Sequence, residues 1–590
     1  MWARKVQPLF DVQCVKCHGP IEQKGGLELD TPQAVLKGGD DGAVIIPGKP
    51  DESPLFQHLA PGADPHMPPK KQLSDTEREI VRSWIAAMTV APVQKPAVAR
   101  QFESVTSAID VLIAEGWGTR GVKPAAVAED RTWCRRLFLD LVGRIPTQEE
   151  LAAFIASTDP EKRGALVDRL LASDEYPVRM RELWDVFLMG RGKRGNQEER
   201  RIKNGWWSFL ETAFRKNRPW NETVRDFLVG RSEKGASWFL YERKNEHQVI
   251  AEAVAPVVYG TRIDCAQCHD HPLAREIKQG HYWGLVAAFN RSKNVEGGNE
   301  VGESAVGGFI NFTNLKKESQ PAVVTLLTGR SVSEDRPGGD QKEADGDDKY
   351  VVPKAKVRVP KFSRREAFAD AATHDNPLLA RAFVNRMWAA LTGRGIVNPA
   401  DEMNARNVPS HPELLDWLSQ DFASNNYDVR RLVRGIVMSR MYGLAASDTP
   451  PEAFAGAQER SLSAEQLARS WRVATGLAPN EDTLRRAVVT ALPDVLPKEY
   501  NATFQQAQFL TNSPLFAEIL KPAQKRITAL ADVPARVRES FLAAYSREPD
   551  AEEFAQSAIF LNGRGDKQEE AVRDLLWALL TSAEFMTVPW

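Results

Sequence analysis

Two five-residue runs in this chain combine cysteine and histidine at the same spacing. They are CVKCH, with Cys14, Cys17 and His18, and CAQCH, with Cys265, Cys268 and His269. With five cysteines and nine histidines in 590 residues, chance would produce one such run in fewer than about one in a thousand chains. The residue types are those of the C-x-x-C-H signature, in which two cysteines attach a haem covalently and the histidine binds its iron.

The spacing can be compared with the geometry that each kind of site requires. On a helix, positions i, i+3 and i+4 share a face, so each run would present two sulfurs and one imidazole to the same side. A zinc site would need four ligands, usually including a second pair at short spacing. A thioredoxin-type dithiol would need a βαβ context, which the flanking sequence does not provide. We favour two covalently attached haem c groups, and zinc is the main alternative at each motif.

A haem bound through His18 needs a ligand on the other face of the iron. Met67 lies in the loop DPHMPPKKQ, directly before a well-capped predicted helix. A thioether ligand raises the reduction potential of haem iron, which is consistent with electron transfer. We expect Met67 to be this ligand, and His66 is the alternative.

The second axial position of the other haem has three interpretations. His247 and His281 are candidate ligands, and the third interpretation is an iron with no second protein ligand. His271 follows His269 by two residues, which corresponds to about 200° around a helix. We therefore expect His271 to contact a propionate, a backbone carbonyl or a substrate rather than the iron.

Length, composition and charge limit the classes of function. A length of 590 residues suggests roughly three to five domains. The apolar content of 42%, the charged content of 26% and the mean hydropathy of −0.39 are typical of a globular protein. A net charge of −2 argues against a nucleic-acid binder. No apolar run reaches the roughly 18 residues of a membrane span, so no transmembrane segment is expected.

Periodicity and capping signals predict a mainly α protein in four parts. Capping boxes are predicted at Ser74–Glu77, Thr147–Glu150 and Ser410–Glu413. A linker is predicted at VAPVQKPAVARQ, and short strands at VGGFINFTNL, PAVVTLLTG and KYVVPKAKVRVPKF. GWGTRG satisfies G-x-G-x-x-G but follows no strand, so we do not assign it to a nucleotide. The parts are a small cytochrome c-like helical domain at 1–92, a helical domain with the second motif at 102–292, a segment at 293–362 with β structure around 300–362 and an acidic loop, and a C-terminal helical domain at 363–590.

Longer stretches around the motifs resemble a known family. FDVQCVKCHGP, KGGLELDT, IIPGKPDESPLFQHL and HMPPKKQLSDTEREIVRSWI resemble the planctomycete-type cytochrome c domain. In such domains the methionine before Pro-Pro is the expected distal ligand, which corresponds to Met67. LFLDLVGRIPTQEEL and CAQCHDHPLAREIKQGHYWGLVAAF resemble the domain of unknown function that follows this cytochrome. The stretch from FVNRMWAALTGRGIVNPADEMNARNVPSHPELLDWL to DLLWALLTSAEFM resembles the second such domain. The resemblance implies an architecture and haem c, but no substrate.

These observations predict an exported dihaem c-type cytochrome that acts in electron transfer or as part of an oxidoreductase. A redox partner protein is expected, and the substrate is unknown, with a polysaccharide or a small molecule as candidates. Because c-type haem is attached outside the cytoplasm, we expect a periplasmic or otherwise exported protein. MWARKVQPLF has no apolar signal region, so we expect the signal peptide to lie outside this chain. A cell-envelope binding or structural protein with accessory haems and a zinc-site hydrolase are the alternatives.

Overall fold

The prediction of a mainly α protein is confirmed, because helices with only short two-stranded sheets make up the computed structural model. The structure describes residues 2–19, 22, 24–88, 100–191, 196–231, 233–336, 343–492 and 504–588. The predicted linker lies outside these residues except for its last two, and so does the centre of the acidic loop. No helix in the described ranges is long and apolar enough to cross a membrane.

The N-terminal region forms a small hydrophobic core of its own. Its helical segments are a π-helical turn at Trp2–Val6, α1 at Gln7–Gln13, a 3-10 turn at Lys24–Gly26, α2 at Pro32–Lys37, a 3-10 turn at Pro50–Glu52, α3 at Pro54–Gln57 and α4 at Asp75–Ala86. The predicted capping box begins α4, where Ser74 N donates to Glu77 Oε2 at 2.8 Å and Glu77 N donates to Ser74 Oγ at 3.3 Å. Trp84 of α4 meets Phe10 of α1 edge-on, with ring centroids 6.0 Å apart. This core therefore supports the helix that leads into the first motif.

A larger core extends from Val105 to Ala455. Its helical segments before the strands are α5 at Val105–Arg120, α6 at Asp130–Val142, α7 at Gln148–Ala156, α8 at Lys162–Ala172, α9 at Glu175–Met189, α10 at Gln197–Lys203, α11 at Trp206–Arg215, α12 at Trp220–Val229, α13 at Trp238–Tyr241, α14 at His247–Val258, a 3-10 turn at Asp264–Gln267 and α15 at Gln279–Phe289. Those after the strands are a 3-10 turn at Asp347–Lys349, α16 at Arg364–Thr373, α17 at Pro377–Thr392, α18 at Pro412–Ser424, α19 at Val429–Val437 and a 3-10 turn at Pro451–Ala453.

Three aromatic rings join the two halves of this core. Trp184 of α9 stacks on Phe383 of α17, with centroids 4.9 Å apart and an angle of 5° between the rings. Phe383 stacks in turn on Phe422 of α18 at 4.9 Å and 6°. Stacked aromatic pairs contribute about 0.5–1.5 kcal/mol each beyond the area that they bury. The core is therefore continuous between the segment 102–292 and the first part of the segment 363–590.

The segment between these halves contains less strand than the sequence predicts. β1 at Ser292–Asn294 pairs antiparallel with β2 at Val301–Glu303, and β3 at Asn311–Thr313 pairs antiparallel with β4 at Ser319–Pro321. The predicted strand VGGFINFTNL contains β3, and PAVVTLLTG contributes only Pro321 to β4. The stretches PAVVTLLTG and KYVVPKAKVRVPKF otherwise form single bridges, Thr325 to Ser331 and Tyr350 to Pro360. Prolines at 353 and 360 limit the ladder that the last stretch could form.

A third core contains the C-terminal helices. Its elements are β5 at Arg460–Ser461, α20 at Ala464–Ala474, α21 at Asp482–Ala491, α22 at Phe504–Asn512, α23 at Pro514–Thr528, α24 at Val533–Tyr545, α25 at Ala551–Asn562, α26 at Gln568–Leu580, α27 at Ala583–Met586 and β6 at Thr587–Val588, which pairs with β5. Arg469 of α20 binds Glu182 of α9 through two hydrogen bonds of 2.9 and 2.5 Å, and both side chains are buried. This ion pair fixes the third core against the larger one.

The glycines of GWGTRG belong to a helix and its end rather than to a nucleotide loop. Gly116 lies inside α5, and a Cβ atom there would collide with the imidazole of His411. Gly121 ends the helix in the left-handed region at φ 63°. The requirement for Gly116 is therefore close packing against His411, which precedes α18.

Candidate haem-binding sites

The first motif continues α1 by one more turn. The N–H of Cys14 donates to Phe10 O at 2.8 Å, and the N–H groups of Cys17 and His18 donate to Cys14 O at 3.1 and 2.9 Å. The chain therefore keeps a helical course through the motif. Because positions i, i+3 and i+4 of a helical course share one side, we expect the two thiols and the imidazole on the same side.

His18 is fixed through its backbone, and its imidazole has no protein partner in the described ranges. Its carbonyl accepts a 2.7 Å bond from the N–H of Leu29, which is part of the N-terminal core. Its Nδ1 is buried without a hydrogen-bond partner among the described residues. An axial histidine gives one nitrogen to the iron and keeps a proton on the other. The uncommitted imidazole of His18 fits that role.

Met67 lies in the loop before α4, on the same core as the first motif. Its N–H donates to His58 O at 2.8 Å, and both Met67 and Cys14 pack half-buried against the N-terminal core. His66, the alternative ligand, precedes Met67 in the same half-buried loop. The fold thus brings the loop with both candidate ligands to the core that supports the first motif.

The donor groups of the two motifs can be tested against zinc. Burial raises the pKa of the Cys14 thiol to about 12. Nowhere in the described part of the chain do three or more His, Cys, Asp or Glu side chains converge so as to hold a metal ion. A haem c site needs no such convergence, because the sulfurs attach at the porphyrin edge and only the imidazole reaches the iron. The described donor groups therefore fit haem c better than the four converging ligands of a zinc site.

The second motif lies on a 3-10 turn rather than on an α-helix. The turn spans Asp264–Gln267 and Cys268 caps its end, and both Cys265 and Cys268 are exposed. In a 3-10 turn, residues three apart lie directly above one another, so the two thiols still share one side. His269 Nδ1 donates to Asp270 O at 2.7 Å. Since a neutral imidazole has one proton, this bond leaves the lone pair of Nε2 free for a metal.

Helix α15 holds this turn in place. Gln279 Nε2 and Trp283 Nε1 both donate to Gln267 O, at 3.2 and 3.0 Å. The N–H of Gln279 donates to Asp270 Oδ1 at 2.8 Å. The start of α15 therefore fixes the residue before Cys268 and the residue after His269.

His271 supports the loop that follows the motif. Its Nδ1 accepts bonds from the N–H groups of Leu273 at 3.2 Å and Ala274 at 2.9 Å. Its Nε2 must then carry the proton, so neither nitrogen of His271 has a lone pair for iron. Burial lowers the pKa of His271 and so favours this neutral form. The Nε2–H group is the part of His271 that could still donate to a propionate or a substrate.

The two distal candidates are also committed to hydrogen bonds. His281 Nδ1 accepts from Lys278 N at 3.0 Å, so its Nε2 carries the proton. His247 Nε2 donates to Ser292 O at 3.0 Å. His247 begins α14, whereas the second motif follows the other end of that 12-residue helix, about 18 Å away along its axis.

Among the described residues, an ion-pair contact joins the two motif-bearing parts of the chain, and no sequence pattern predicts it. Arg275, in the loop after the second motif, forms ion pairs with Glu28 and Asp30. These acids flank Leu29, whose N–H binds the carbonyl of His18. The Asp30 side chain is only 6% exposed, so the contact is partly withdrawn from water. It connects the loop beside one motif with the segment that fixes the histidine of the other.

A cleft lies beside the second motif, and no sequence pattern predicts it. Its walls come from α9, α14, α17 and the loop 393–401, and its volume is about 900 Å³. Asp264, which directly precedes Cys265, is on its wall. Several arginines line it, but they are scattered along the chain and share no motif.

Comparison with protein families accounts for three stretches of the chain. Residues 14–71 match the family described as Planctomycete cytochrome C. Residues 108–294 and 364–490 match two families described as Protein of unknown function, DUF1549 and DUF1553. The comparison with curated proteins found no match, and the comparison with solved structures found none either.

The order of these matches is the architecture predicted from the motifs, with the first C-x-x-C-H in the cytochrome match and the second in the match that follows. The cytochrome domain implies covalently bound haem c. The chain therefore belongs to the planctomycete-type cytochrome c domain proteins, in which an N-terminal cytochrome c domain precedes two domains of unknown function.

Proposed function

We propose that this protein is an exported dihaem c-type cytochrome that passes electrons between two covalently attached haems. The first haem is held by Cys14 and Cys17, with His18 and Met67 as axial ligands. The second is held by Cys265 and Cys268, with His269 as its axial ligand. The observation that carries the second site is the bond from His269 Nδ1 to Asp270 O, because it leaves Nε2 free for iron while both cysteines are exposed.

Bound haem supplies one-electron chemistry at its iron. The residues of the chain fix the positions of His18 and His269 and bring the two sites together in one folded protein. Leu29 and Cys14 fix the backbone of His18, and Gln279 fixes the turn of the second motif. The ion pairs of Arg275 connect these two sets of residues, which supports transfer within the chain. Exchange with a separate redox partner protein completes the proposed path.

We further propose that the two haems differ in their axial ligands. Met67 completes the first site, whereas the second iron has no second protein ligand. The neutral forms of His271 and His281 carry their proton on Nε2, and His247 lies at the far end of α14. An iron with one free face binds small ligands, so the second site is the candidate reaction site of an oxidoreductase and the first is its electron relay.

The haem count tests the proposal. Intact-protein mass and the absorption spectrum, from a host with c-type maturation, should give two haems per chain. Replacing both Cys265 and Cys268 by Ala should lower the count to one, with Cys134→Ala as the matched control because Cys134 is fully buried in the larger core. A count of one in the unsubstituted chain would refute the second site.

Carbon monoxide tests the ligand assignment. It binds ferrous haem only where an axial position is open, so we expect about half of the Soret absorption to shift. The His281→Gln variant should shift by the same amount. If the unsubstituted protein showed no shift and His281→Gln gained one, His281 would be the ligand and the second site would be a relay as well.

A further inference from the structure

The cleft beside the second motif has the size and position of a ligand site. Its volume of about 900 Å³ is within the range of roughly 300–1,000 Å³ that is usual for small-molecule sites. One wall comes from the region that matches the first family of unknown function and the facing wall from the region that matches the second. Ligand sites are frequent at such junctions.

The charged side chains of the cleft favour an anion. Five arginines line it, against the three acids Glu252, Asp264 and Asp401. Arg262 is neutralised by Asp401, to which its Nη2 donates at 2.6 Å. Tyr282 Oη donates to Glu252 at 3.0 Å, and burial raises the pKa of Glu252, which reduces its charge.

The other four arginines of the cleft differ in whether they form ion pairs or hydrogen bonds within the protein. Arg191 pairs with Glu465, and Arg243 donates to the carbonyls of Phe239 and Leu188. Arg386 and Arg394 form no ion pair with a described residue. These two are the cations of the cleft that an incoming anion can neutralise.

Two buried N–H groups of the cleft also have no acceptor among the described residues. They are Nη2 of Arg386 and Nε1 of Trp184, a side chain that is only 2% exposed. The Arg386 guanidinium lies over the ring of Phe187, with Cζ 3.4 Å from the centroid, so the ring limits its movement. A buried donor without an acceptor destabilises the folded protein, and a charged donor does so more strongly. A ligand that brings acceptor oxygens would remove this destabilisation.

We propose that this cleft binds an organic carboxylate, with Arg386, Arg394 and Trp184 as its donors. Leu183, Val186, Ala389 and Pro399 also line the cleft, and these apolar side chains suit the body of an organic molecule better than an inorganic ion. The carboxylate has two sources. It is either a propionate of the second haem, which rests on the proposed function, or a separate acid that acts as substrate beside the open iron.

Calorimetric titration of the purified protein with benzoate tests the proposal, with benzamide as the uncharged probe of the same shape. If the carboxylate is a separate acid, the unsubstituted protein binds benzoate and does not bind benzamide. Arg386→Gln and Arg394→Gln should each weaken benzoate binding about tenfold or more, because each removes a charge-assisted hydrogen bond. Arg386→Lys should retain part of the affinity. Arg573→Gln is the control, since Arg573 is exposed and lies outside the cleft.

A second titration shows whether the carboxylate is a haem propionate or a separate acid. It uses the variant in which Cys265 and Cys268 are both replaced by Ala. Benzoate binding by the unsubstituted protein identifies a separate acid. Benzoate binding only by the cysteine variant, together with a shifted potential of one haem in Arg386→Gln, identifies a propionate. If neither protein binds benzoate in an arginine-dependent way and the potentials are unchanged, the carboxylate site is refuted. A haem count of one would refute the second haem alone, because the first titration does not depend on it.

Discussion

The contact between Arg275 and the acids Glu28 and Asp30 gives the sharpest prediction about how the two motifs are held together. The Arg275→Ala variant removes the only side chain of the contact that carries a positive charge. Exposed ion pairs contribute about 0–1 kcal/mol, and removing one partner of a fully buried pair costs about 3–5 kcal/mol. The side chains of this contact are 22%, 17% and 6% exposed, which places it between these limits. We expect Arg275→Ala to lower the docking free energy by an amount on the order of 1–3 kcal/mol, or roughly 5- to 150-fold in the docking equilibrium.

Hydrogen exchange measured by mass spectrometry reports this equilibrium directly. Peptides that cover residues 24–31 and 270–277 should exchange faster in Arg275→Ala, because their amides become accessible when the contact opens. Lys278→Ala is the matched control in the same loop. Lys278 pairs with Asp270 at 3.2 Å, but their side chains are 53% and 49% exposed, so we expect less than about a twofold change.

A charge exchange separates this contact from a general effect on the loop. Arg275→Asp should open the contact further, and adding Asp30→Arg should restore much of the protection. Equal exchange in Arg275→Ala and Lys278→Ala, with no recovery in the exchanged pair, would show that the ion pairs do not hold the two parts together.

Three further substitutions test other parts of the structure. Met67→Ala should lower the reduction potential of one haem only, on the order of 0.1 V, since axial ligands span about 0.8 V; unchanged redox titration curves would exclude Met67 as a ligand. Glu182→Gln leaves buried Arg469 without its charge partner, so we expect a loss of about 3 kcal/mol in denaturant unfolding, and a loss below about 1 kcal/mol would contradict the assigned role. Burial and the neighbouring Arg120 lower the pKa of His411 to about 4 from an ordinary value of 6.5, so the unfolded chain alone takes up this proton between those pH values. Stability should therefore fall from pH 6.5 to 4, by up to about 3 kcal/mol more than in His411→Gln, and parallel pH profiles of the two proteins would refute this linkage.

Local signals in the sequence predicted local structure well. The capping boxes at Ser74 and Thr147 are present, because each needs only a hydroxyl and a glutamate three residues later. The third box, at Ser410, is wrong. Ser410 Oγ donates instead to Ile396 O at 3.2 Å, and α18 begins two residues later, at Pro412. Ser410 therefore bonds to Ile396, which is distant in the sequence, instead of to the nearby residues of a capping box.

The candidate sites likewise contain features that the sequence predicts and features that it does not. The two C-x-x-C-H motifs are visible because their chemistry depends on spacing within five residues. The contact of Arg275 with Asp30 and the placement of Arg386 and Trp184 in one cleft bring together residues that are far apart in the chain. Such contacts depend on how helices pack, which one sequence does not specify.

The stack of Trp184, Phe383 and Phe422 has a consequence for how this chain can be divided. Trp184 belongs to one matched family and the two phenylalanines to the other, yet the rings share one core. A cut between the families would leave large aromatic surfaces exposed on both pieces, and such surfaces promote aggregation. The two regions of unknown function are therefore best cloned, expressed and exchanged between homologues as one unit.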